Sequence, residues 1–500
     1  MELLSNLTLG FGTALSPWNL VYCFVGCLLG TLIGVLPGLG PAATIAMLLP
    51  FTFSLDPSAS LIMLSGIFYG AQYGGSTTAI LVNIPGEASS VVTAIDGHQL
   101  AKQGHAGMAL STAALGSFFA GTVATLVIAL FAPMLARAAL EFGPAEYFSL
   151  MVLGLVASVA LAHGSLLKAL AMIVFGLLVG IVGIDVNSGA SRMTFGSVEL
   201  SDGVDIVAVA MGLFGLAEVM TNIGDTSLSR ETVQSKISGL FPDMKLLRRI
   251  AGPVCRGTAI GSVLGILPGG GALLSSFASY AVEKKLSQDP RQFGRGAIEG
   301  VAGPESANNA GAQTSFIPML TLGLPSNVTM ALMIGAMIIQ GIQPGPSVMT
   351  SQPTLFWGLI ASMWVGNLML VILNLPLIGI WIRLLTIPYK YLAPSIIVFC
   401  AIGVYTLNAS SFNIFVMAAF GALGYILRKL ECEPTPFLLG MILGPMMEEH
   451  MRRALMLSRG NPMTFVDRPI SLILLLLAVT AIVLVTIPAV RNKRDEALVE

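Results

Sequence analysis

The chain has 500 residues, 55% of them hydrophobic and 10% charged, with a formal net charge of −1 and a mean hydropathy of +0.84. Such apolarity belongs to a polytopic membrane protein and excludes a soluble globule. The balanced charge excludes a nucleic-acid partner, which requires a basic footprint.

In chain order, runs apolar over the roughly twenty residues that cross a bilayer occur at 18–36, 61–82, 108–136, 146–162, 166–184 and 204–222. A second series follows at 257–282, 310–342, 355–382, 391–408, 412–428 and 469–490. A shorter run, 435–447, lies between Pro434 and Pro436 at one end and charged residues at the other, and reads as re-entrant or interfacial. The fold class expected is an all-α polytopic membrane protein with roughly 11–14 membrane elements. No basic n-region precedes the first apolar run, so no cleaved signal peptide is read.

The polar stretch from Asn222 to Leu247 divides the chain. The halves expected are 1–222 and 251–468, joined by a linker at 223–250 and followed by a final helix and basic tail at 469–500. Lys and Arg accumulate on cytoplasmic loops, which assigns to the cytoplasm the linker, the cluster Lys284, Lys285, Arg291 and Arg295, and the tail with Arg491, Lys493 and Arg494.

The pattern G-x-x-x-G-x-x-x-G-x-L-P-G-x-G occurs in each half. The first copy uses Gly26, Gly30, Gly34, Leu36, Pro37, Gly38 and Gly40, the second Gly257, Gly261, Gly265, Leu267, Pro268, Gly269 and Gly271. Glycine at every fourth position lets membrane helices approach closely, and L-P-G-x-G breaks a helix, since proline lacks the N–H and glycine permits non-helical angles. A break in lipid leaves backbone groups unpaired unless protein or a polar cavity surrounds it. The second copy lies between basic clusters and reads as a hairpin entering from and returning to the cytoplasm. The first has no Lys or Arg before Lys102. Opposite flanks point to two inverted repeats; a parallel duplication is the alternative.

The repeat continues. Ser54, Asp56 and Pro57 match Ser287, Asp289 and Pro290, and Y-G-A-Q-Y-G-G-S-T-T (69–78) matches E-S-A-N-N-A-G-A-Q-T (305–314). A second break follows at Asn83-Ile84-Pro85-Gly86 and at Gly323-Leu324-Pro325-Ser326, with less secure spacing.

Small polar groups cluster beside these breaks. The substrate-binding candidates are Ser76, Thr77, Thr78, Asn308, Gln313 and Thr314. The cation-binding candidates are the Gly38, Gly40, Gly269 and Gly271 backbone with Asn83, Asn309 and Glu305. Hydroxyl, amide and freed carbonyl oxygens form a hard-oxygen cage for Na⁺, and the same groups with half-helix N-termini hold a carboxylate. The alternative is that these Ser, Thr and Asn residues only bond neighbouring helices. No Lys or Arg occurs between Arg295 and Arg383, so an anionic substrate would rely on dipoles and a co-bound cation. Glu305 and Glu87 are the acids nearest the breaks; their alternative place is the membrane surface. The four histidines and five cysteines are scattered, and no nucleophile elbow, Walker loop or Rossmann turn occurs, so no enzyme and no cofactor are expected.

The L-P-G-x-G segments, Y-G-A-Q-Y-G-G-S-T-T-A-I-L-V-N-I-P-G-E (69–87) and G-P-E-S-A-N-N-A-G-A-Q-T-S-F-I-P-M-L-T-L-G-L-P (303–325) resemble the large membrane subunit (TctA-type) of bacterial tripartite tricarboxylate transporters over nearly the whole chain. The resemblance implies a secondary transporter in the bacterial cytoplasmic (inner) membrane, with a small four-helix membrane subunit and a periplasmic substrate-binding protein as partners. It implies uptake of a citrate-like di- or tricarboxylate driven by Na⁺, with H⁺ as the alternative. A channel or a non-catalytic structural subunit remains a rival reading. By analogy of repeat logic with other carboxylate carriers, it also implies a mobile domain moving against a scaffold.

Overall fold

A computed structural model describes residues 2–36, 40–161, 165–185, 188–224, 240–267, 271–385 and 389–486. The first half runs through α1 (Glu2–Ala14), α2 (Pro17–Val35), α3 (Pro41–Thr52), α4 (Pro57–Val82), α5 (Val91–Lys102), α6 (Ala106–Ala139), α7 (Pro144–Leu161), α8 (Leu166–Gly180), α9 (Ile206–Ala210) and α10 (Ala217–Gly224). A π-helical segment, Met211–Leu216, joins the last two, and a two-stranded hairpin pairs Gly183–Ile184 with Ser191–Arg192 before them. The second half contains α11 (Met244–Leu264), α12 (Gly271–Leu286), α13 (Glu299–Thr314), α14 (Phe316–Leu322), α15 (Val328–Ile339), α16 (Val348–Ser351) and α17 (Pro353–Asn374). It continues with α18 (Ile378–Leu385), α19 (Tyr389–Asn408), α20 (Ser411–Lys429), α21 (Thr435–Leu457), α22 (Thr464–Asp467) and α23 (Pro469–Thr486). The architecture is all-α and polytopic: among the described residues five helical segments are long and apolar enough to cross a membrane, and six shorter ones are apolar.

Both anticipated pairs of breaks are present. Helix α2 stops at Val35 and α3 starts at Pro41, behind Gly40. Helix α11 stops at Leu264 and α12 starts at Gly271, whose φ is 29°. Gly38 and Gly269 lie outside the described residues. At the second pair, Asn83 closes α4 and Gly323 closes α14, both left-handed, with φ of 58° and 69°. Pro85 and Pro325 follow at the same offset, and Glu87 and Asn327, both extended, are the N-caps of the next helical turns. The break itself matches without a gap, N-I-P-G-E with G-L-P-S-N, while the spacing to it still differs by four residues, Thr78 to Asn83 against Thr314 to Gly323. The S-x-D-P signals are helix starts: Asp56 accepts from the Ser58 N–H at 3.0 Å and Asp289 from the Arg291 N–H at 3.3 Å.

The glycine motifs set the packing. A β-carbon on Gly26, Gly30 or Gly34 would collide with the carbonyl oxygen of Met63, Ile67 or Ala71, so α2 lies backbone to backbone on α4. Gly257 and Gly261 press in the same way on the Gly303 and Ala307 carbonyls, which lays α11 on α13. Thr78 seals the first contact by donating to the Val35 carbonyl at 2.9 Å, and Thr314 lies 3.4 Å from the Gly261 carbonyl in the second. The legs α11 and α12 are clamped by the fork of Arg256 on Glu283 at 2.6 and 2.8 Å, as a hairpin requires.

Each half covers the other. Helix α6 of the first half packs on α13, and α17 of the second packs on α4. Asn367 on α17 accepts from Tyr73 Oη at 2.6 Å and donates to the Phe118 carbonyl at 2.8 Å, joining α4, α6 and α17. The exchange recurs away from the breaks, where α21 packs on α7 and α8 while the π segment and α10 pack on α20.

Three features differ from the sequence reading. The run 435–447 is the first part of a 23-residue helix, α21, because Arg452–Glu448 and Arg453–Glu449 pairs one turn apart carry the helix onward. The run 310–342 contains a further interruption besides the expected one at Gly323, since Ser315 separates the end of α13 from α14. The helix carrying the second glycine motif begins at Met244, inside the segment read as linker, where Asp243 caps the Leu246 N–H at 2.8 Å.

Gly261→Leu is expected to force α11 from α13 and lower the thermal midpoint of the purified protein, at a cost of about 1–3 kcal/mol or more. Gly12→Leu, where a β-carbon meets open space, is the control and should leave the midpoint in place. Thermal unfolding in detergent reads both.

Candidate functional site

The site lies on the two most enclosed helices. In α13 all residues from Gly300 to Thr314 are buried, and in α4 all from Ala59 to Val82. Glu305 is 0% exposed, so protein encloses it on every side. Its Oε1 accepts from Ser76 Oγ at 2.5 Å, Asn309 Nδ2 at 3.1 Å and Ser117 Oγ at 3.3 Å, and its Oε2 accepts from Thr93 Oγ1 at 2.7 Å. Four helices, α4, α5, α6 and α13, therefore each send a neutral donor to one carboxyl group. Asn309 also donates to Ser117 Oγ at 2.7 Å, which fixes the amide.

One turn along, Asn308 Nδ2 donates to Glu87 Oε1 at 3.0 Å, and Ser89 Oγ touches Glu87 Oε1, Asn308 Oδ1 at 2.7 Å and Gln72 Oε1 at 3.3 Å. Glu87 is half-buried, whereas Gln72, Ser89 and Asn308 are buried. A third acid, Asp96 on α5, is buried. Its Oδ1 accepts from the N–H groups of Gly294, Gly296 and Ala297 at 2.8 to 2.9 Å, and its Oδ2 accepts from Tyr280 Oη at 2.9 Å. That latch ties α5 of the first half to the loop that launches α13.

Basic residues stand elsewhere. Arg249 pairs with Glu299, Arg256 with Glu283 and Arg468 with Glu146. Arg192 in the hairpin pairs with Glu448 and Asp185, whose hydrogen bonds hold its guanidinium above its ordinary value. Among the described residues no such ion pair involves Glu87, Asp96 or Glu305. Beside Glu305 a cavity of about 10 Å³ is lined by Tyr73, Ser76, Thr77, Ser117 and Asn374. That is room for one water and not for an organic acid.

The structure brings Ser76, Glu305 and Asn309 into one network, and Asn308 into the adjoining one. Thr77 lines the cavity. Gln313 is buried, with its Oε1 unpartnered. Thr78 and Thr314 point instead to backbone carbonyls of the glycine helices and of their own preceding turns. Asn83 is an exposed helix terminus, and Gly40 and Gly271 begin α3 and α12. Sequence reasoning missed Ser89, Thr93, Asp96 and Ser117, which are single polar residues whose roles emerge only when helices from both halves meet.

Helical segments long and apolar enough to cross a membrane, with paired helix breaks and with Glu305 and Asp96 buried and in no ion pair among the described residues, define a multi-pass membrane protein. A family model described as "Tripartite tricarboxylate transporter TctA family" matches residues 20–439. The chain belongs to that family and is a component of a tripartite tricarboxylate transporter system. It is 61% identical over 500 residues, 100% of this chain and 99% of the relative, to an Agrobacterium vitis protein described as "Uncharacterized 52.8 kDa protein in TAR-I ttuC' 3'region". A second A. vitis protein, "Uncharacterized protein in TAR-II ttuC' 3'region", is 60% identical over 240 residues, 48% of this chain and 99% of that protein. No solved structure matches the chain.

Asp96→Ala removes the acceptor of three amides, of which Ala297 is buried and Gly296 partly so, and a buried unsatisfied group costs about 1–3 kcal/mol. It is expected to destabilise the protein strongly, while Asp96→Asn, which keeps the accepting oxygen, retains most of the stability. Thermal unfolding of the two variants side by side checks this.

Proposed function

We propose that this chain is the translocating subunit of an ion-driven importer of a di- or tricarboxylate, in the bacterial inner membrane. Its partners are a small four-helix membrane subunit and a periplasmic binding protein that delivers the substrate. The coupling ion is Na⁺, with H⁺ as the alternative, and the two halves are inverted repeats with the linker and C-terminus in the cytoplasm.

The observation that carries this reading is Glu305, a carboxyl group enclosed by neutral donors from both halves with no Lys or Arg beside it. A charge in a low-dielectric interior is stable only with a counter-charge or a proton. A cation at Glu305 and Asn309, with carbonyls near Gly40 and Gly271, would supply one and prepare the site for an anion. Ser76, Thr77, Asn308 and Gln313 are then the substrate contacts, while Thr78 and Thr314 serve the helix packing. The small cavity implies an occluded arrangement, so the halves must part around α13 to admit a carboxylate.

The test is reconstitution of the three-component complex in proteoliposomes with labelled citrate and C4 dicarboxylates. Uptake above equilibrium is expected only with an inward cation gradient. Gradient-independent equilibration would overturn the coupled mechanism, and unitary currents would favour a channel. Asn309→Ala is expected to cut uptake tenfold or more while complex assembly stays normal, because a buried charge short of one donor costs about 1.5–3 kcal/mol. Unchanged uptake would favour a structural role.

A further inference from the structure

The contacts around Glu87 contain one hydrogen too few. Glu87 Oε1, Ser89 Oγ and the Asn308 amide form a triangle in which every pair is within hydrogen-bond distance. With Asn308 Nδ2 directed at Glu87, the Ser89 hydroxyl has one hydrogen and two acceptors, Glu87 Oε1 and Asn308 Oδ1. Turning the Asn308 amide over does not help: it donates to Ser89, but its oxygen then faces Glu87 Oε1 at the 3.0 Å now occupied by nitrogen. Gln72, 3.3 Å from Ser89, adds a donor to Ser89 if its amide is turned, yet places no hydrogen on the missing edge. Two oxygens in contact without a hydrogen repel, and in a buried site the cost is that of an unsatisfied polar group.

We propose that Glu87 is a proton-binding site of the transport cycle, and that the occluded arrangement described here holds it as the neutral acid. One added proton completes the ring: Glu87 Oε1–H donates to Ser89 Oγ, Ser89 Oγ–H to Asn308 Oδ1, and Asn308 Nδ2–H to Glu87 Oε1. No other bond changes. Because Glu87 and Ser89 come from the first half and Asn308 from the second, the proton closes a ring across the halves, and its loss to solvent at the half-exposed Glu87 opens that ring.

The groups facing Glu87 are consistent with a neutral acid. From α4 come Gln72 and Gly75, where a β-carbon would meet Glu87 Cγ. From α13 come Asn308 and, one turn away, the buried Glu305. On α5, Asp96 is held by the 294–297 loop and His98 lies 3.0 Å from the Ile80 carbonyl through Nδ1. On α12 the charged residues Glu283, Lys284 and Lys285 stand in the last turns, with Glu283 paired to Arg256.

This assignment rests on the reading of the chain as an ion-coupled carrier, but its test does not use transport. Infrared difference spectra of the purified full chain in nanodiscs, recorded across a pH series, read the carboxylic C=O band directly. The expected result is a protonated-carboxyl band at neutral pH with a component that Glu87→Gln removes and Glu305→Gln keeps. Glu87→Gln should fold normally, since its amide supplies the missing hydrogen. Ser89→Ala, which removes the hydroxyl that turns to the carboxylate once the proton leaves, is expected to tighten proton binding and move the midpoint of the band to higher pH. A band that Glu87→Gln leaves unchanged, no band in the wild type, or a midpoint unmoved by Ser89→Ala would overturn the proposal. So would saturable ²²Na⁺ binding that Glu87→Gln abolishes in the absence of any carboxylic band. Failure of gradient-driven uptake with the band intact would remove the carrier reading and leave the proton site; the converse would remove the proton site alone.

Discussion

Lipid offers no hydrogen bonds, so the backbone polar groups inside this protein have to be satisfied by the protein itself. The means is the contact of glycine-bearing helices with polar ones: α2 on α4 and α11 on α13, close enough that carbonyl oxygens occupy the space where β-carbons would be. At that distance a threonine hydroxyl reaches across to a neighbouring backbone, as Thr78 does to Val35 and Thr314 to Gly261. The same closeness brings Gly86, beside the second break, onto the Gly34 carbonyl next to the first. Both breaks of the first half are thereby held in one place. Larger side chains would separate the helices and expose four interrupted ends to hydrocarbon.

With the backbone secured, the polar side chains of α4 and α13 are free to face one another. Helix α13 is covered by α11 from its own half and by α5 and α6 from the other; α4 is covered by α2 and by α17. The carboxyl group of Glu305 consequently takes its donors from across the division, and so does Glu87 through Asn308. Such contacts are broken by any motion that parts the halves. On the proposed reading, a site whose charge balance depends on that division would couple ion occupancy to conformation, because a buried carboxylate and an opened one have different needs for a counter-charge. The Asp96 latch works in the opposite sense, fixing the start of α13 through four donors whatever the state of Glu305.

The helix breaks were legible in the chain because proline and glycine act locally: Pro41 behind a glycine suits the first turn of a helix, and Asn83 and Gly323 can end one in left-handed backbone. The length of α21 was not, since hydropathy stops at Met447 while i,i+4 ion pairs carry the helix on. Among the site residues, Ser76, Asn308, Asn309 and Glu305 stood out through clustering in the repeated motifs. Ser89, Thr93 and Ser117 did not, for a lone hydroxyl in an apolar helix has many uses and only its neighbours select one. Thr78 and Thr314, identical in type to residues of the site, face the glycine helices, a matter of one helical turn.

Sequence by itself determined that the chain enters lipid, that it is doubled, and where its helices must break, because apolarity, repetition and backbone chemistry are properties of neighbouring residues. Only the tertiary structure decided which polar groups meet. Glu305 lies 229 positions from Ser76 and Asn308 lies 219 from Ser89, and donors that far apart are matched by the crossing of helices, for which no local pattern exists. The exchange of α6 and α17 between the halves performs that matching and turns two rows of small polar residues into one enclosed site.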